Sequence, residues 1–130
     1  MKSNNKILIL SLFILFAILT SGILIRKYLI KTTDTYLAEL KKVEFNITND
    51  NWSEAEKRLE KLESNWMQTQ SKWGLFTDHK EIDNITISLK STTAYVKSKN
   101  FSQSLASLRT LQHYLSHIPN MEAFTLENIF

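Results

Sequence analysis

Residues 52–76 read WSEAEKRLEKLESNWMQTQSKWGLF, and the spacing of their apolar positions decides the fold class. Trp52, Ala55, Leu59, Leu62, Trp66, Thr69, Trp73 and Phe76 recur at alternating steps of three and four. That is the period of one helix face, and Glu, Lys, Arg, Gln and Ser fill the positions between. All three tryptophans of the chain share this register. Asn51, followed three residues later by Glu54, has the pattern of a capped helix start. Gly74 and the Thr77–Asp78 pair mark the end of this segment and the beginning of the next.

The same period extends on both sides. Upstream the stripe is Leu29, Thr33, Tyr36, Leu40, Val43 and Ile47, ending in the turn-forming run Asn46 to Asn51. Downstream one stripe is Ile82, Ile85, Leu89, Thr92 and Val96. The next is Phe101, Ser104 or Leu105, Leu108, Leu111, Leu115 and Ile118, with Asn100 and Gln103 repeating the capping pattern and Pro119 expected to stop the helix. Shifted by 49 residues, the chain matches itself: Asp34 falls on Asp83, Leu40 on Leu89, Asn51 on Asn100, Trp52 on Phe101 and Leu59 on Leu108. A shared heptad would align any two such helices, but the matching turn is more specific. The expected architecture is all-α: a duplicated helical hairpin (29–76 and 78–118) forming a four-helix bundle-like domain over 28–118, favoured over a short solenoid.

Upstream of the bundle lies a second decisive stretch. Ile7 to Ile25 is nineteen residues without a charge, fourteen of them Ile, Leu or Phe. As a helix it is roughly 28 Å long, close to the ~30 Å hydrocarbon core of a bilayer. The expected order is therefore a basic N-tail (1–6), a transmembrane helix (7–25), the helical domain and a C-terminal tail (119–130). A cleaved signal peptide is the competing reading, with Lys2 and Lys6 as the basic region and Thr20-Ser21-Gly22 as the cleavage site. The apolar run resumes after Gly22 and stops on Arg26 and Lys27, which favours an uncleaved anchor. Arg26, Lys27 and Lys31 slightly outnumber Lys2 and Lys6, whereas a short basic tail before a long apolar run is the form of a signal anchor. The latter places the helical domain outside the cell membrane as a single-pass protein.

The formal charge of +3 does not indicate nucleic acid. Residues 1–31 carry five Lys/Arg and no acids, whereas residues 32–130 carry eleven Lys/Arg against thirteen Asp/Glu. The excess basicity belongs to the flanks of the apolar run, and the expected nonprotein partner is the lipid bilayer. Without cysteine there are no disulfides and no thiolate metal sites. Two Gly and one Pro leave little turn chemistry for an all-β fold.

Candidate chemistry is sparse. His79 lies among Asp78, Glu81 and Asp83, and its i, i+4 spacing to Asp83 suits a divalent ion. Acidic residues at a helix start are equally favoured by the helix dipole, and the repeat equivalent Asp34 makes Asp83 structural. His113 and His117 also stand four apart, without a third ligand nearby and off the apolar stripe. Trp66 and Trp73 form either core or an aromatic binding cleft; the buried stripe favours core. No nucleophile elbow, phosphate loop or zinc-protease motif is present, so neither an enzyme nor a cofactor is expected. The tail carries Met121, Phe124, Leu126, Ile129 and Phe130, which either dock on the bundle or form a partner-binding strip. Four Asn-x-Ser/Thr sites, at Asn46, Asn51, Asn84 and Asn100, matter only in a glycosylating host.

Several short motifs together resemble a known family: the single apolar run, Lys72-Trp73, His79-Lys80-Glu81-Ile82-Asp83, Ile118-Pro119, Met121-Glu122 and the closing Phe124-Thr125-Leu126-Glu127-Asn128-Ile129-Phe130. Over essentially its whole length the chain is similar to family 4363 of the domains of unknown function, small single-span membrane proteins of Gram-positive bacteria. The resemblance implies a class and no mechanism. It draws attention to Trp73, His79, Glu81 and Asn128 to Phe130, and it suggests company with a multi-span membrane protein. The expected role is a membrane-anchored interaction or accessory subunit with a protein partner; the alternative is an extracytoplasmic small-ligand or metal-binding domain. The candidate surface comprises Trp66, Trp73, His79, Glu81, Phe124 and Phe130.

Overall fold

A computed structural model describes the backbone of residues 2–129 and the side chains of residues 3–120. Among the described residues the chain forms four helices: α1 (Lys2–Thr48), α2 (Trp52–Trp73), α3 (His79–Lys97) and α4 (Phe101–Ile129). Each helix packs on its chain neighbour, and α4 returns to pack on α1. Short connections make successive helices antiparallel, so contact between α1 and α4 closes the two hairpins into a bundle rather than stacking them as a solenoid.

The core is the set of stripes read from the sequence. Leu29, Tyr36, Leu40, Val43 and Ile47 of α1 meet Ala55, Leu59, Leu62, Trp66 and Trp73 of α2. Ile82, Ile85, Leu89 and Val96 of α3 and Leu108, Leu111, Leu115 and Ile118 of α4 complete it. Thr33, Thr92 and Ser104 are buried at stripe positions too. Thr92 satisfies its hydroxyl against Ser107 Oγ at 2.8 Å across the α3–α4 seam. Full burial of a Leu or Ile is worth about 1.5–3 kcal/mol, so these stripes hold the bundle together.

The repeat survives as backbone geometry. The amides of Asn49, Asp50 and Asn51 donate to the carbonyls of Phe45, Ile47 and Asn46, and those of Ser98, Lys99 and Asn100 donate to Ala94, Val96 and Tyr95. These bonds form two Schellman caps 49 residues apart, with Asp50 (φ 56°) and Lys99 (φ 55°) in the left-handed conformation that closes each.

Four local expectations are corrected. Pro119 does not stop the last helix, because α4 continues to Ile129. A proline ring removes one helical bond and crowds the preceding turn, and here the backbone absorbs that cost within the helix. Asn51 occupies the α2 N-cap position without a side-chain cap bond; its side-chain Nδ2 instead donates to Asn46 Oδ1 at 3.3 Å. The equivalent Asn100 does cap, accepting from the Gln103 amide at 3.1 Å. Phe101 is 48% exposed, whereas Trp52, with which it aligns and which likewise opens its helix, is half-buried and packs against the core. Phe76 likewise falls beyond the end of α2 and stays partly exposed.

No helical break separates the apolar run from the bundle. Ile7 to Leu24 project from the bundle with their large side chains exposed, and Ile25 is the first α1 side chain packed against the core. α1 is long and apolar enough to cross a membrane.

Candidate functional site

The aromatic candidates lie inside the bundle. Trp66 is 2% exposed and Trp73 is fully buried, the core placement that the stripe favours, so the alternative of an open cleft between these two rings falls away. Their rings meet edge to face at 5.4 Å, and Tyr36 meets Trp66 in the same manner at 5.9 Å. Trp66 donates from Nε1 to Thr86 Oγ1 at 2.8 Å, and the Tyr36 hydroxyl lies 2.8 Å from Thr69 Oγ1. Burial raises the Tyr36 pKa above its ordinary 10.0, against the opposing effect of the Thr69 hydrogen bond.

His79 is exposed at the first turn of α3, and Glu81 is half-buried two residues on. A Cβ placed on Gly74 would lie 3.6 Å from His79 Cε1, so the imidazole leans on the end of α2. Asp78 caps α3 by accepting from the Lys80 amide at 2.9 Å, which accounts for one acid of this group as a helix cap. His113 and His117 are exposed and stacked, with ring centroids 5.9 Å apart. Among the described residues no three His, Asp or Glu side chains converge as a metal site. The side chains of Phe124 and Phe130 lie outside the described residues, as does the question of how the tail docks.

The charged surface is organised in a way the spacing only partly foretold. Glu39 on α1 binds Lys42 at 2.6 Å and Arg58 of α2 at 3.3 Å, and Arg58 also reaches Glu54 at 3.2 Å. The Lys42 hydrogen bond, with Lys42 and Arg58 charges beside it, holds the Glu39 carboxyl below its ordinary 4.5. Between α2 and α3 runs an open groove of ≈ 500 Å³, with Trp66 at its floor and Glu60, Glu63, Gln70, Lys90 and Lys97 along its walls. Within it Lys97 pairs with Glu60 at 3.3 Å, and Thr93 donates to Glu63 at 2.6 Å. The Glu54–Arg58 pair was legible as an i, i+4 spacing; the cross-helix pairs required the register of the folded bundle. Of these wall residues Lys97 and Glu60 form an ion pair, whereas Glu63 is held by the Thr93 hydroxyl.

A comparison with curated proteins finds no match, and neither does one with solved structures. The family described as Domain of unknown function (DUF4363) matches residues 23–129, from the last residues of the apolar run to the end of α4. That span includes the whole bundle, and the chain belongs to this family.

Proposed function

We propose that this protein is a single-span membrane protein whose helical bundle is an interaction domain, serving as an accessory subunit of another membrane protein. The observation that carries the reading is the continuity of α1. One 47-residue helix supplies both an exposed apolar segment of bilayer length and the first core stripe of the bundle. A helix without a break transmits orientation, so the bundle stands on the segment as a rigid extension and presents fixed faces to a neighbour in the same membrane. A short basic tail before the apolar segment supports an extracytoplasmic bundle. Detergent extraction with an affinity tag tests this: the reading expects a stoichiometric membrane-protein partner that is lost when the bundle, residues 28–118, is deleted. Extraction of the chain alone under mild detergent would count against it.

A second reading, an extracytoplasmic small-ligand domain, draws on the α2–α3 groove, whose polar walls suit a polar organic molecule. Ligand-dependent elevation of the melting temperature, absent in Lys97→Ala, would favour it.

A further inference from the structure

We propose that the turn between α2 and α3 dips into the bilayer surface, so that the bundle sits flush on the membrane on Leu75 and Phe76. This rests on the reading of α1 as a membrane span. Leu75 is 77% exposed, the highest value among the large exposed hydrophobic residues, and its neighbour Phe76 is 39% exposed. Other exposed apolar residues, such as Phe45, Met67 and Ile87, stand on the helices rather than in a turn. Leu75 and Phe76 are adjacent, at a chain reversal, where a soluble domain ordinarily carries polar residues.

The register of the bundle gives their height. Tyr36 faces Thr69 and Trp66, and Glu39 faces Arg58. Because α1 and α2 are antiparallel, a step toward the C-terminus of α2 is a step toward the N-terminus of α1. Continued past Trp73, that register sets Leu75 and Phe76 beside the α1 turn around Ile25 to Leu29. Burial gives the same level independently, since Ile25 is the first α1 side chain against the core. Immediately there, Arg26 and Lys27 end the apolar run and define the headgroup level of a span over Ile7 to Ile25. Exposed Lys72 and Lys80 flank the turn, and Lys31 lies one turn above on α1. Asp78, Glu81 and Asp83 on the α3 side carry the opposing charge. An apolar tip flanked by Lys72 and Lys80, level with Arg26 and Lys27, has the chemistry of an interfacial anchor: hydrocarbon below, phosphates beside it. The opposite end of the bundle, at Asp50 and Lys99, then stands roughly 35 Å from the headgroups along α1.

The absence of native cysteine allows a clean test. Full-length protein carrying one of Leu75→Cys, Ile87→Cys, Lys99→Cys or Leu15→Cys is labelled with an environment-sensitive dye. Each is reconstituted in phosphatidylcholine–phosphatidylglycerol vesicles containing nitroxide lipids with a shallow or a deep quencher. The expected result is loss of most of the Leu75→Cys emission to the shallow quencher, loss of the Leu15→Cys emission to the deep one, and little loss at Ile87→Cys or Lys99→Cys. Leu75→Cys as unquenched as Lys99→Cys, with Leu15→Cys still quenched, overturns the flush seating and leaves the span standing. An unquenched Leu15→Cys overturns both. Since Leu75 is exposed, an unchanged melting temperature for its variant confirms that the fold is intact.

Discussion

Asp50 and Lys99, 49 residues apart, hold the same left-handed backbone conformation, at φ 56° and 55°. Each closes a Schellman cap built from the same three amide-to-carbonyl bonds, displaced by one repeat. The duplication is therefore written in the backbone as well as in the apolar stripes, and it fixes where both hairpins turn.

That conformation brings Cβ close to the carbonyl oxygen, at a cost of about 1–2 kcal/mol, which glycine avoids while losing about 0.5–1 kcal/mol of chain entropy. Lys99→Gly should stabilise the protein by roughly 0.5–1 kcal/mol. Asp50→Gly should help less, because aspartate tolerates the left-handed region better than lysine. Denaturation midpoints of the full-length protein in detergent check the ordering. Destabilisation by Lys99→Gly would show that the cap is misassigned.

The two core tryptophans should answer differently to the same change. Trp66 has a partner for its indole N–H in Thr86, whereas Trp73 Nε1 is buried without an acceptor among the described residues. Phenylalanine removes a good hydrogen bond in the first case and an unmet donor in the second. Trp66→Phe should therefore cost more than Trp73→Phe, by about 1–3 kcal/mol. Equal losses in thermal unfolding would mean that Trp73 is paired.

Glu39 predicts a pH dependence. Its carboxyl is held below its ordinary 4.5 by Lys42 and then Arg58, so the folded state binds its proton less readily than the unfolded chain. Its contribution is complete above 4.5 and is lost as pH falls through the lower folded value. The side chain is partly exposed, so the effect is small. Glu39→Gln should lower stability near neutral pH and converge with the wild type in acid. A constant offset at all pH values, read by denaturant titration, would contradict the assignment.

How much of this was legible in the sequence follows from what each signal measures. The stripe from Leu29 to Ile47 and those of α3 and α4 located the core, because a helical period depends only on which face meets a partner. Asn51 and Asn100 carry the same residue and turn but different hydrogen bonds, because Asn46 competes for one side chain and its equivalent Tyr95 does not compete for the other. Pro119 looked like a stop because a helix ordinarily breaks there. The tryptophans looked compatible with either core or cleft, since periodicity identifies a face without saying whether it closes. The α2–α3 groove was invisible, because periodicity fixes the buried face of each helix but not the register that sets Glu60 and Glu63 opposite Lys90 and Lys97.

Pro119 itself gives a further prediction. Inside α4 it removes an amide donor and crowds the preceding turn, at a cost of about 3 kcal/mol. Pro119→Ala should raise helicity and slow amide exchange beyond residue 119. Faster exchange there would show that the proline ring makes a contact worth more than the bond it removes.

On the proposed function, α1 is one uncleaved helix serving both as membrane span and as bundle element. Its most direct test is the intact mass of the chain recovered from cells, separated into alkali-washed membranes and soluble fractions. A membrane-retained chain that still contains Ile7 to Ile25 is expected. A soluble chain beginning at Ile23 would contradict it.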